Sequence, residues 1–113
     1  TKISRIKMDR TISPNELKKM RNSSIVVILD VRRKSDLDAS REKILGATWC
    51  DPDLLEEWAD KIPKHREVVL YCVRGGSVSN AVVGALQAKG VQARFIEGGL
   101  EGWKAAGGDT VGK

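Results

Sequence analysis

The sequence has little of what membrane spans, disulfide scaffolds or nucleic-acid platforms require. Its longest aliphatic run covers only residues 25–29, whereas a membrane-spanning helix needs about 18 apolar residues. The two cysteines, Cys50 and Cys72, form at most one disulfide bond. There are five aromatic side chains, and His65 is the only histidine. We therefore expect neither a base-stacking platform nor a zinc site.

The length and composition are those of one globular domain. The chain has 113 residues, of which 41% are hydrophobic and 31% are charged. We predict a single domain over residues 1–113, with a core at 5–106 and a frayed tail at 107–113. Residues 1–10 lack the apolar core segment of a signal peptide, so a cytoplasmic location is expected. The missing initiator methionine leaves a removed presequence or a larger parent protein open.

The positive charge is unevenly distributed along the chain. Of a net charge of +5, residues 1–45 carry 12 basic and 6 acidic side chains, whereas residues 46–113 carry 8 and 9. Acidic residues interrupt the basic ones, and few aromatic residues lie among them. We therefore expect a basic surface that attracts small anions rather than nucleic acid, and no membrane partner.

Apolar residues follow strand-like and helix-like periods in alternation, which is typical of an α/β domain. Residues 13–16 form a predicted capping box with proline at the first helical position, so a helix begins there and ends near Asn22. Because the connections are short, the strands are expected to be parallel. We predict strands at 5–8, 25–29, 46–49, 67–72 and 92–96, and helical segments at 13–22, within 31–40, from Asp51, at 80–89 and at 100–106.

The segment after the fourth predicted strand carries the chemistry. Cys72 lies at the carboxyl end of that strand, where ligands bind in open α/β sheets. A loop containing Gly75 and Gly76 comes next and leads into a helix. Such a loop turns successive backbone N–H groups inward, and the helix N-terminus adds positive potential. This environment favours the thiolate, so Cys72 is predicted to be an acidic, nucleophilic cysteine.

Four short motifs occur in an order that is typical of a known family. They are Asp30-Val31-Arg32, Gly46-Ala47, the segment Tyr71-Cys72 with its loop up to Ser77, and the Glu-Gly-Gly-Leu-Glu-Gly-Trp of residues 97–103. On these motifs the chain resembles the rhodanese-like domains, specifically single-domain thiosulfate sulfurtransferases, over about residues 5–106. The resemblance implies a three-layer α/β/α fold with a five-stranded parallel sheet. One departure is at residues 42–45, where Glu-Lys-Ile-Leu replaces the family's frequent Gly-His-Ile-Pro.

The resemblance implies a ping-pong sulfurtransferase that needs no cofactor. The Cys72 thiolate takes sulfur from a small anionic donor such as thiosulfate, or from a persulfide or polysulfide, and passes it to cyanide or a thiol. The loop amides would hold the persulfide, and Arg74 would add a cation at the mouth of the site. The substrate-binding residues implied are Val73, Arg74, Gly75, Gly76, Ser77 and Val78.

Other interpretations remain open at this point. Asp30 and Arg32 are candidate supporting residues that pair and brace the site, or they form a purely structural ion pair. The protein is alternatively a non-catalytic rhodanese module of a larger protein, or a redox protein that uses Cys72 with Cys50. A cysteine-based phosphatase ranks lower, because Val78 stands where the Cys-x5-Arg loop has its phosphate-binding arginine.

Overall fold

The computed structural model describes residues 10–23 and 25–112. It contains five helices, two short 3₁₀ segments and two sheets within those ranges. The helices are α1 (Pro14–Ser23), α2 (Lys34–Ala39), α3 (Leu55–Trp58), α4 (Ser77–Ala88) and α5 (Gly99–Ala105), and the 3₁₀ segments Pro52–Leu54 and Ala59–Lys61 flank α3. The strands are β1 (Thr11–Ile12), β2 (Val26–Asp30), β3 (Glu42–Ile44), β4 (Thr48–Trp49), β5 (Glu67–Tyr71), β6 (Gln92–Ile96) and β7 (Thr110–Gly112). The strand predicted at residues 5–8 lies outside the described residues.

The main sheet is parallel and has five strands in the order β1-β6-β5-β2-β4. The predicted fold class, a five-stranded parallel sheet in an α/β domain, is confirmed. The strand β5 lies at the centre, and its residues Val68 to Tyr71 are all buried. This placement explains the continuous apolar run in its sequence, because a strand covered on both faces needs apolar side chains at successive positions.

Side chains of β5 alternate between two hydrophobic clusters, one on each face of the sheet. Leu70 and Cys72 contribute to a cluster that also holds Val82 and Leu86 of α4. Tyr71 points to the opposite cluster, which contains residues of α1 and α5. The cysteine at the end of β5 is therefore directed toward α4, while the tyrosine before it is directed toward the other layer.

The capping box predicted at the start of α1 is present. The Ser13 Oγ accepts a hydrogen bond from the Glu16 N–H at 3.1 Å, and the Glu16 carboxylate accepts one from the Ser13 N–H at 3.4 Å. By contrast, α4 begins at Ser77, three residues before its predicted start. Gly76 occupies the position before the helix, and no side chain caps it there. The usual sequence signal for a helix start is therefore missing at this end.

The prediction of a frayed tail at residues 107–113 is wrong for residues 107–112. β7 pairs with β3 in an antiparallel two-stranded sheet. The Trp103 indole N–H donates to the Asp109 carbonyl at 2.9 Å, and the Thr110 hydroxyl donates to the Glu42 carboxylate at 2.9 Å. The partner strand lies more than sixty residues away in sequence, so no local pattern indicates the pairing. Within the same described ranges, no helix is long and apolar enough to cross a membrane.

Candidate active site

Cys72 lies directly after β5, at the carboxyl edge of the central strand. Its side chain is 7% exposed. The neighbouring strand continues beside it, since the Val31 N–H donates to the Tyr71 carbonyl at 2.9 Å. The chain then passes through residues 73–76 and enters α4. The sulfur is thus held between a rigid strand and the N-terminus of a 12-residue helix, which contributes positive potential.

The start of α5 determines the shape of the loop after Cys72. The Leu100 N–H donates to the Cys72 carbonyl at 2.9 Å, and the Glu101 N–H donates to the Val73 carbonyl at 3.2 Å. Gly99 lies against the same loop with a φ of +61°, and a Cβ atom there would be 2.4 Å from the Cys72 carbonyl oxygen. Gly75, with a φ of +71°, completes the turn. Two loop carbonyls are therefore bound on the α5 side.

The loop and the first turn of α4 supply donors to the Cys72 sulfur. Burial by itself would raise the pKa of this thiol. The Ser79 side chain and the backbone N–H groups of Gly76, Ser79 and Gly75 favour the charged form of the sulfur by more than burial disfavours it, so the pKa of Cys72 is lowered from its ordinary value. These are groups that the predicted anion nest would use.

A cavity of about 420 Å³ opens above Cys72. Its volume lies in the range of small-molecule sites. Arg33 and Asp36, from the segment after β2, were not among the predicted site residues. The signal for Arg33 was its position directly after Asp30-Val31-Arg32, at the same sheet edge as Cys72. The lining residues are Arg33, Asp36, Cys72, Val73, Arg74, Gly76, Ser77 and Val78.

Comparison with known proteins agrees with this geometry. The family model for the Rhodanese-like domain matches residues 13–106 of the chain. The chain belongs to the rhodanese-like domain family. Its architecture is the sulfurtransferase-type fold of that family. No curated protein matches the chain significantly.

Solved rhodanese-like structures share the fold over most of their length. A rhodanese-related protein from Thermoplasma volcanium is 24% identical, with a TM-score of 0.78 over 90% of this chain and 97% of its own. A Staphylococcus aureus rhodanese-like domain protein is 28% identical, with a TM-score of 0.73 over 83% and 90%. A Rhodopseudomonas palustris protein described as a "possible tyrosine phosphatase" is also 28% identical, with a TM-score of 0.73 over 89% and 83%.

In this rhodanese-like domain, Asp30 and Arg32 form a buried ion pair beside the loop and do not line the cavity above Cys72. Each side chain is 1% exposed, and the Arg32 guanidinium donates to the Asp30 carboxylate at 2.7 Å. The Tyr71 hydroxyl also donates to that carboxylate at 3.1 Å. The arginine further donates to the Glu42 carbonyl at 3.1 Å. The pair therefore links the ends of β2 and β5 to β3, directly before Cys72.

Cys50 is separated from Cys72 by one intervening strand. The Cys50 N–H donates to the Asp30 carbonyl at 2.8 Å, which places Cys50 on the far side of β2 from β5. Two strand spacings correspond to about 10 Å, whereas the Cα atoms of a disulfide lie within about 7 Å. Burial, followed by the charge of Asp30, raises the pKa of the Cys50 thiol. The arrangement does not favour a disulfide between the two cysteines.

Proposed function

We propose that this rhodanese-like domain is a sulfurtransferase that carries sulfane sulfur on Cys72. The donor is thiosulfate, or a persulfide or polysulfide, and the acceptor is cyanide or a thiol. The observation that carries the proposal is Cys72 in the lining of an open cavity, with the pKa of its thiol lowered by the surrounding donors. A thiolate is the form of cysteine that attacks sulfur.

The two half-reactions balance without a cofactor. The Cys72 thiolate attacks the outer sulfur of thiosulfate, and the S–S bond of the donor breaks with its electron pair leaving on sulfite. A persulfide anion remains on Cys72. Cyanide or a thiolate then attacks the terminal sulfur, and the electron pair of the second S–S bond returns to the Cys72 sulfur. Every species that the loop N–H groups meet is an anion, so one set of donors serves both steps.

Charge at the cavity mouth supports an anionic donor. Arg74 and Arg33 both line the cavity, while Asp36 is the one acidic residue in its lining. Within the described residues, neither arginine forms a salt bridge, so both cations are available to a ligand. We propose that Arg74 contacts the sulfonate end of thiosulfate and that Arg33 adds long-range attraction.

Phosphatase chemistry is disfavoured by the same loop. A phosphate-binding cysteine loop places an arginine six residues after the nucleophile, and its bidentate hydrogen bonds stabilise the transferring phosphoryl group. Val78 occupies that position at the start of α4, where it is half-buried and packs against the apolar cluster beneath Cys72. An aliphatic side chain cannot donate a hydrogen bond to a phosphoryl oxygen.

A non-catalytic binding module is the second alternative. Such a module has no need of a thiol with a lowered pKa, whereas Cys72 is surrounded by groups that stabilise its anion. A cytoplasmic setting belongs to the proposal, since both Cys50 and Cys72 are free thiols and reducing compartments maintain them.

Intact mass spectrometry tests the proposed function. After incubation with thiosulfate and removal of the excess, we expect a gain of about 32 Da, the mass of one persulfide sulfur. Cyanide should remove this mass and release an equal amount of thiocyanate. The Cys72→Ser variant should gain no mass, whereas Cys50→Ser should behave as the wild type. A wild-type protein that gains no mass from either thiosulfate or a polysulfide would contradict the proposal.

A further inference from the structure

Ser79 has a buried hydroxyl group that no protein group satisfies. Its side chain is fully buried in the first turn of α4. Three polar or charged residues are buried in the described chain, and the other two, Asp30 and Arg32, bind each other through several hydrogen bonds. Among the described residues, the Ser79 Oγ is the one buried side-chain oxygen or nitrogen atom without a hydrogen-bond partner. An unpaired buried hydroxyl is destabilising, so its presence needs an explanation.

The position of Ser79 on α4 makes the hydroxyl more unexpected. Ser79, Val82, Val83 and Leu86 form the buried stripe of this helix, at the spacing of a single helix face. The other three are aliphatic and belong to the apolar cluster that contains Cys72. Packing alone would favour an alanine or another small apolar residue at position 79.

Cys72 packs in one cluster with the aliphatic residues that share the buried face of α4 with Ser79, and its thiol is the ionisable group that Ser79 influences. Both the hydroxyl and the N–H of Ser79 stabilise the thiolate. A neutral thiol is a weak hydrogen-bond acceptor, whereas a thiolate is a strong one. The hydroxyl therefore gains a good partner only when the sulfur carries a negative charge.

We propose that Ser79 is a positioning residue whose hydroxyl donates a hydrogen bond to the Cys72 sulfur whenever that sulfur is charged. The inference rests on the proposed sulfurtransferase function for its second part. Before the first step, the hydroxyl stabilises the attacking thiolate. In the second step, the acceptor attacks the terminal persulfide sulfur and the electron pair of the S–S bond returns to the Cys72 sulfur. The hydroxyl stabilises this departing thiolate as well.

The first experiment measures alkylation of Cys72 by iodoacetamide against pH, with each cysteine followed on its own peptide by mass spectrometry. In Ser79→Ala we expect the midpoint to rise by about one pH unit. Well below the midpoint the thiolate fraction then falls about tenfold, and alkylation slows severalfold because the more basic thiolate is also more nucleophilic. At high pH the variant should react at least as fast as the wild type, because thiolate nucleophilicity rises with pKa. Cys50 is the control within the same molecule, and its profile should not change.

Thermal unfolding distinguishes this role from a structural one. At a pH well below the Cys72 midpoint, where the sulfur is neutral and the Ser79 hydroxyl has no partner, the melting temperature of Ser79→Ala should equal or exceed that of the wild type. A substitution that merely disrupted the structure of the loop would lower the melting temperature and slow alkylation at every pH. Ser79→Thr, which keeps the hydroxyl, provides the second variant, and it should retain a Cys72 profile close to that of the wild type.

The second experiment follows the persulfide. In single turnover, Ser79→Ala loaded with sulfur should transfer it to cyanide severalfold more slowly than the wild type, because a thiolate of higher pKa is a poorer leaving group. A Cys72 alkylation profile in Ser79→Ala that superimposes on the wild-type profile would overturn the inference. A wild-type chain that takes no sulfur from any donor would overturn the proposed function instead, while the alkylation profiles would still test the role of Ser79.

Discussion

Cys50 and Cys72 lie at the ends of parallel strands on one sheet edge, yet the structure gives the two thiols opposite properties. Cys72 is the more buried of the two, but its pKa is lowered, whereas burial raises the pKa of Cys50. The difference lies in the segment after each cysteine. After Cys72 come a glycine-rich loop and a 12-residue helix. After Cys50, the Asp51 carboxylate accepts a hydrogen bond from the Asp53 N–H at 2.9 Å to begin a 3₁₀ turn.

The comparison shows that burial does not by itself decide the reactivity of a thiol. After Cys50, the Asp53 N–H at the start of the 3₁₀ turn is already bound by the Asp51 carboxylate. At Cys72 the corresponding N–H groups carry no side-chain cap and remain available to the sulfur. A carboxylate beside a thiol disfavours the thiolate, and unpaired N–H groups favour it. The local chemistry of the strand-to-helix connection therefore lowers the pKa of Cys72, while the pKa of Cys50 is raised.

Exchange of each sulfur for oxygen gives the largest expected difference. Cys72→Ser should lower thiosulfate-dependent thiocyanate formation by more than about 1,000-fold, because the hydroxyl is a poor acceptor of sulfane sulfur. Cys50→Ser should keep nearly full turnover, since one sulfur carrier is enough for the cycle. Steady-state kinetics on both variants, with circular dichroism to confirm folding, make the test. Collapse of turnover in a folded Cys50→Ser variant would favour the redox function.

A substitution that displaces the loop after Cys72 should weaken the stabilisation of the thiolate that distinguishes Cys72 from Cys50. In Gly99→Ala, the new Cβ would lie 2.4 Å from the Cys72 carbonyl oxygen, at a φ of +61°. We expect a loss of about 2–4 kcal/mol in the free energy of unfolding and roughly 100-fold in kcat/KM. Gly84→Ala is the matched control, because a Cβ there approaches only the Arg10 guanidinium, at 3.6 Å.

Gly84 lies in the interior of α4, so the Gly84→Ala substitution should raise the free energy of unfolding by about 0.5–1 kcal/mol. Urea denaturation and steady-state kinetics measure both variants. Equal stability and activity in Gly99→Ala would mean that the α5 contact does not shape the loop.

Removal of the Arg74 cation at the cavity mouth is expected to have an intermediate effect on activity. Arg74→Ala should lower kcat/KM for thiosulfate by about 10- to 100-fold, as expected for a guanidinium about 5–7 Å from the donor's sulfonate. With an uncharged polysulfide donor, the same substitution should lower kcat/KM much less. Arg74→Lys should recover part of the loss, since lysine keeps the charge without the planar fork. Equal reductions in kcat/KM for both donors would show that Arg74 shapes the loop instead of recognising charge. No reduction for either donor would mean that its side chain points into solvent.

The smallest expected difference is in the pH dependence of the two wild-type thiols. Because the pKa of Cys72 is lowered, its alkylation should reach a plateau at lower pH than that of a free thiol, whose pKa is about 8.5. The reaction then slows as the pH falls through the Cys72 pKa and the thiolate is protonated. Cys50 should reach half its maximal rate above the free-thiol value. Peptide-resolved alkylation against pH provides both curves, and a Cys72 midpoint at or above that of Cys50 would contradict the comparison.

Local patterns were sufficient where neighbouring residues determine the structure. The capping box at residues 13–16 marks the start of α1, and the apolar run at 67–72 marks the central strand, because both depend on contacts within a few residues. The glycines after Cys72 predict a loop of inward N–H groups for the same reason. The start of α4 was predicted three residues late, since Gly76 provides no side-chain cap and residues 77–79 show no helical periodicity of their own.

The sequence by itself determined the alternation of the central strands with helices, the position of Cys72 at a strand end, and the family to which the chain belongs. Only the tertiary structure paired β7 with β3, brought Arg33 into the cavity, seated Gly99 against the Cys72 carbonyl and left the Ser79 hydroxyl unpaired. Each of these features either joins segments that are distant along the chain or depends on which residues pack beside a helix face. Such contacts leave no local period or motif, because their energy comes from the assembled sheet and its two helical layers.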